Sequence, residues 1–125
     1  PAGVAHCFTG TRAELEDYLA LGLHVGITGW ICDERRAGDL RAAVAGLPLD
    51  RVVVETDCPY LLPRTLQPAP RNRRNEPALL AEVVRVLAGF MGLEPLVVAA
   101  AATRNAERLF GRSAGQSPAG DPAGR

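Results

Sequence analysis

Short apolar runs alternate with helical patterns from residue 3 to residue 110, and that alternation leaves few architectures open. GVAHCF (3–8), LHVGITG (23–29) and RVVVETD (51–57) read as strands. Between the first two, Thr11 and Glu14 have the spacing of a capping box. Leu15, Tyr18 and Leu19 follow at helical spacing until Gly22 ends the helix. A second helix carries the stripe Leu40, Ala43, Val44 and Leu47, and Pro48 stops it. Residues 58–77 are rich in proline and arginine and too long for an ordinary connector, which marks a functional loop. A third helix is expected from about Glu76 to Phe90, capped by Asn75, with Pro77 in its first turn and Leu80, Val83, Val84, Leu87 and Met91 along one face. A fourth, from about Glu94 to Phe110, is expected to bury Val97, Val98, Ala101, Leu109 and Phe110. Parallel neighbours require a crossover, and helices between strands supply it, so the fold class is α/β with a parallel sheet.

Chemistry in such sheets gathers at the C-terminal ends of the strands. His6 and Asp57 fall at such ends, whereas His24 opens its strand and lies at the opposite end. Side chains alternate along a strand, so Val53, Glu55 and Asp57 share one face while Val52, Val54 and Thr56 share the other. A buried carboxylate without a partner is costly, and a divalent cation supplies the missing positive charge. On spacing alone a cation site at His6, Glu55 and Asp57 and a buried arginine partner for Glu55 fit equally well. Cys7 and Cys58 adjoin these residues, and alternation turns both away from that face.

The formal net charge is zero, so no global field would hold the chain on a polyanion, and any such partner must be gripped by a local patch. All fourteen basic residues are arginine. The three cysteines include no C-x-x-C pair, which points to a reducing, cytoplasmic compartment and away from a disulfide framework. No apolar segment reaches the ~18 residues of a membrane span, and no membrane partner is expected.

HCFTGT (6–11), GITGWICDERR (26–36), ETDCPYLLPR (55–64), RRNEPALL (73–80) and ATRNAERLFG (102–111) resemble, in order and spacing, the signature blocks of the TatD family. These are metal-dependent deoxyribonucleases built on a (β/α)₈ barrel. The resemblance covers roughly residues 4–111 and implies the C-terminal part of a TIM-type barrel hydrolase, about three of eight strands with their helices. Residues 1–111 would form this partial barrel, and 112–125, rich in Gly, Pro, Ala and Ser, a disordered tail. The family's H-x-H pair, middle-strand Glu and further His have no counterpart here. A whole barrel takes at least about 200 residues, so the expectation is a C-terminal fragment that needs the missing N-terminal half to complete its site.

The resemblance implies hydrolysis of DNA phosphodiesters, as a 3′–5′ exonuclease acting on single strands or 3′ ends. It makes His6 and Asp57 metal ligands, one for each of two ions, with Asp57 also holding or activating the attacking water. Glu55 would orient a ligand or a water. Mg²⁺ is the implied activator, with Mn²⁺ and Zn²⁺ suited to the same donors. Arg64, Arg71, Arg73 and Arg74 follow the Asp57 strand, and Arg73 and Arg74 are the foremost candidates to meet phosphates. Trp30 follows a strand end and is a candidate to stack on a base, with core packing an equal contender. Two other readings stay open: a hydrolase of amides or esters such as an aminoacyl-tRNA, and a non-catalytic interaction module. The chain by itself is expected to bind metal weakly, to have little activity and to expose apolar faces.

Overall fold

In the computed structural model, which describes residues 2–111, the three apolar runs become one parallel sheet. Its strands are β1 (Val4–Ala5), β2 (His24–Ile27) and β3 (Val52–Val54), in chain order. Val4 pairs with His24 and Ala5 with Val25; Val25, Gly26 and Ile27 pair with Val52, Val53 and Val54. The crossovers contain α1 (Arg12–Ala20) and α2 (Gly38–Val44), and α3 (Leu80–Met91) and α4 (Pro95–Phe110) complete the helical layer. The tail 112–125 lies outside the described residues.

Strand alternation divides the sheet between two duties. Val25, Ile27 and Val52 join Leu15, Leu40, Val44, Val83, Leu87 and Val98 in one buried cluster. Each such side chain contributes about 1.5–3 kcal/mol on burial, so this helix-covered face supplies most of the stability. Gly26 and Val53 alternate to the other face, and it is over that face that Glu55 lies.

The strands are shorter than their apolar runs, for a local reason in each case. Cys7 turns into the left-handed region (φ 50°) and interrupts β1, although the Phe8 N–H still donates to Gly26 O at 2.9 Å. Thr28 ends β2 by capping a 3₁₀ turn, Gly29–Cys32, with its hydroxyl accepting from Trp30 N. Glu55 N–H donates to Ile27 O at 2.9 Å, the last rung available to β3. At α1 the expected box is present: the Thr11 side chain accepts from Glu14 N, and Glu14 reaches back to the Thr11 amide.

Four expectations for the later helices need correction. Asn75 does not cap the third helix; its amide is spent on the loop, donating to Tyr60 O at 2.9 Å, and a 3₁₀ turn at Pro77–Leu79 precedes α3. On α4 the buried stripe is Val98, Ala101, Ala102 and Asn105, a single helical face. Val97 (45% exposed) and Phe110 (72%) lie off that stripe and are not buried, and Leu109 is only half-buried.

Asn105 is the polar tie within this core. At 1% exposure its Nδ2 donates to Leu49 O and Val52 O, both at 2.8 Å, and its Oδ1 accepts from Arg108 Nη2. Asn105→Ala strands two carbonyls next to the core, and urea unfolding of this variant is expected to lose about 2–3 kcal/mol of stability. A loss below about 0.5 kcal/mol, the range of ordinary surface changes, would contradict this role.

Candidate metal centre

Two strand ends and one left-handed residue bring the three predicted groups together. His6 follows β1 directly, and Glu55 and Asp57 follow β3, so all three stand at the C-terminal rim. His6 Nδ1 donates to Glu55 Oε2 at 2.8 Å. The turn at Cys7 aims its backbone N–H at the same oxygen, 3.0 Å away. The other imidazole nitrogen, Nε2, stands 3.3 Å from Asp57 Oδ1. The ring remains 61% exposed, so solutes reach it, while both carboxylates are partly covered.

The donor chemistry of this row has room for one positive charge, a proton or a cation, between ring and aspartate. When Nδ1–H donates to Glu55, the neutral tautomer turns its Nε2 lone pair toward the Asp57 carboxylate. Two lone pairs then face each other unless a proton or a metal ion lies between them. Metal–donor bonds of about 2.1 Å at tetrahedral or octahedral angles hold two donors about 3.0–3.4 Å apart. The 3.3 Å separation of Nε2 and Oδ1 fits that range, so the two would share one ion, where the sequence expectation gave each its own. Among the described residues, no group of three His, Cys, Asp or Glu side chains is arranged to hold an ion. The chain therefore offers two donors, with Glu55 behind the ring as its orienting partner.

Cys7 corrects the sequence reading, which turned it away from this face. Its positive φ breaks the alternation, and its thiol lies 3.4 Å from the Thr28 hydroxyl on the carboxylates' side. Burial foremost, then the Asp57 and Glu55 charges, push that thiol up from its ordinary value, against the pull of the Thr28 hydrogen bond. Cys58 is exposed and contacts Thr56.

The remaining candidates are dispersed over the long loop and the 3₁₀ turn after β2. Arg64 is not free to meet phosphate: it pairs with Glu34 at 3.0 Å and approaches Asp33 at 3.7 Å. Hydrogen bonds from Arg35 hold the Asp33 carboxyl down at about 2, so this partner stays ionised. Arg73 and Arg74 are exposed and form no ion pair among the described residues. Arg73 lines a cleft of about 380 Å³ with Leu62, Pro63, Arg64 and Ala69. Trp30 packs against the core cluster, with the Arg36 guanidinium 5.7 Å from its ring centroid. Asn75, only 5% exposed, is structural: it clamps the loop through Pro59 O, Tyr60 O and Leu61 O.

Two features of the site escaped the sequence reading, the Cys7 amide and the bare α-carbon of Gly26 beneath Glu55. A glycine inside a strand was the available signal for the second.

A family profile described as TatD related DNase matches residues 1–111. The chain belongs to this family. A relative from Rahnella sp. (strain Y9602), named 3'-5' ssDNA/RNA exonuclease TatD, is 54% identical over 114 residues, which are 91% of this chain and 43% of that protein. One of the same name from Erwinia billingiae is 54% identical over 110 residues, covering 88% and 42% respectively. The chain thus spans less than half the length of these relatives. Among solved structures, the TatD homologue YJJV from Escherichia coli superposes with a TM-score of 0.75 at 31% identity, covering 87% of this chain and 40% of its own. A TatD-family hydrolase from Entamoeba histolytica shares the fold at TM-score 0.76 and 23% identity, covering 90% and 43%.

The thiols of this TatD-family chain give a direct check on the site's surroundings. In EDTA at pH 8, iodoacetamide is expected to modify exposed Cys58 first. Cys7 and Cys32 should lag because burial raises both thiols and lowers their thiolate fraction. Mass spectrometry of peptides against time reads the order, and Cys7 reacting ahead of Cys58 would contradict its placement.

Proposed function

We propose that the chain carries the last three strands, with their helices, of a TIM-type (β/α)₈ barrel. In the whole protein this barrel serves as a divalent-metal-dependent nuclease that trims single-stranded DNA or RNA from the 3′ end. The exonuclease name of relatives at 54% identity supports the reaction. One observation carries the chemistry: a His6 ring held by Glu55 with its second nitrogen 3.3 Å from Asp57. Amide or ester hydrolysis and a non-catalytic role have no comparable support.

His6 and Asp57 would hold divalent ions, two in the complete site, with further ligands supplied by the rest of the barrel. Mg²⁺ is our first choice, and Mn²⁺ or Zn²⁺ suit an imidazole–carboxylate set equally well or better. When bound, the ions supply the charge that activates water and offsets the leaving oxygen. Glu55 accepts the Nδ1 proton and so keeps the Nε2 lone pair facing the rim. Asp57 presents its second oxygen to the attacking water as a proton acceptor. Arg73 and Arg74 meet phosphates of the strand. Trp30 ranks behind them, since a stacking base must displace Arg36.

Barrel completion also accounts for the uncovered apolar surface. Within the described residues β1 and β3 each pair only with β2. Beside β3 opens an apolar cleft of about 300 Å³, lined by Val54, Leu80, Ala102, Ala106 and Phe110 among others. Further strands and helices would cover both.

The test is a chimera in which this chain replaces the matching part of the Rahnella relative. With Mg²⁺ or Mn²⁺ it is expected to shorten 3′-ended single strands from that end. Glu55→Gln should cost about 10–100-fold, and His6→Ala and Asp57→Asn more. A folded, metal-loaded chimera that cleaves no nucleic acid would overturn the proposal.

A further inference from the structure

We infer that Gly26 is a positioning residue for the metal pair, a bare seat for the Glu55 carboxylate that acts on His6 only through that carboxylate. The inference deepens the nuclease reading and rests on it only for the consequence at the metal. Gly26 sits in mid-strand opposite Val53, and it is not among the glycines with positive φ. Its backbone therefore gives no reason for glycine, and glycine inside a strand is a cost.

The reason lies above it. A β-carbon on Gly26 would collide with Glu55 Oε2 and Cδ and come within 2.7 Å of Oε1. Carboxylates usually swing aside from such a contact. This one is pinned, because the colliding Oε2 is the atom that accepts from both His6 Nδ1 (2.8 Å) and Cys7 N (3.0 Å). Making room for a methyl group means giving up the bond that orients the imidazole. The carboxylate, the amide of the left-handed Cys7 and the bare strand of Gly26 thus form one fitted unit, two bonds in front and an open backbone behind.

The experiment compares the full chain with Gly26→Ala, Glu55→Ala and the double variant. The first readout needs no metal: long-range ¹H–¹⁵N spectra of the His6 ring at one pH. Gly26→Ala and Glu55→Ala are expected to move the Nδ1 resonance alike, and the double variant to match Glu55→Ala. In the Rahnella chimera, where the remaining ligands are present, Mn²⁺ affinity should follow the same pattern, with each single variant weaker by about 10–100-fold and the double no weaker than Glu55→Ala. An unmoved His6 resonance in Gly26→Ala, or a further loss when it is added to Glu55→Ala, would overturn the inference. If Gly26→Ala fails to fold while the double variant folds, the collision is with Glu55 and the inference stands; if neither folds, Gly26 serves the strand itself and the inference falls. Spectra that follow the pattern beside a folded Rahnella chimera that takes up no Mn²⁺ would count against the nuclease reading and leave the positioning role intact.

Discussion

A histidine ring held between two carboxylates is the interaction on which the proposed metal site depends. One nitrogen satisfies Glu55, and the other is left opposite Asp57. A proton or a cation between ring and aspartate would satisfy both facing groups. The sheet holds that row: β1 delivers the imidazole, β3 delivers both carboxylates, and β2 runs between them with Gly26 kept bare. A parallel sheet suits this arrangement because it sends the strand ends to one rim.

Stability and chemistry are kept on opposite faces. Val25, Ile27 and Val52 bury themselves under the helices, while the alternate residues leave a face on which a charged row is partly solvated. The irregular segment after Asp57 is tied down by polar bonds instead of a core of its own. Asn75 clamps three of its carbonyls, Arg64 joins it to Glu34, and Thr65 donates to Glu82 Oε1 at 2.6 Å. Gly29 contributes by lacking a side chain where the Leu61 carbonyl crosses it. Arg73 and Arg74 are thereby displayed from an anchored loop.

Much of this was legible in the sequence because it depends on local spacing. Thr11 and Glu14 announce their helix start within four residues, and the apolar runs announce the parallel sheet. The placement of His6 and Asp57 at one rim follows from strand direction alone. What stayed hidden depends on single backbone angles or distant partners. The positive φ of Cys7 redirects both its amide and its thiol, and no residue pattern encodes it. Asn75 sits where a helix cap belongs, yet its amide is claimed by loop carbonyls many residues earlier. On α4 the choice of buried stripe was set by Asn105 reaching Leu49 O and Val52 O, which turns Val97 and Phe110 outward. The Gly26 seat joins residues on different strands, and only the folded sheet brings them together.

The chain's two histidines permit a direct trial of the central claim, since His6 stands at the C-terminal rim of the sheet and His24 at the opposite end. Trace Mn²⁺ added to the chain, followed through the carbon-bound ring protons of each histidine, reports which rim the ion occupies. Paramagnetic broadening of His6 at concentrations that leave His24 sharp is the result predicted here. Equal broadening of the two, or loss of the His24 signal first, would contradict a cation site at His6 and Asp57.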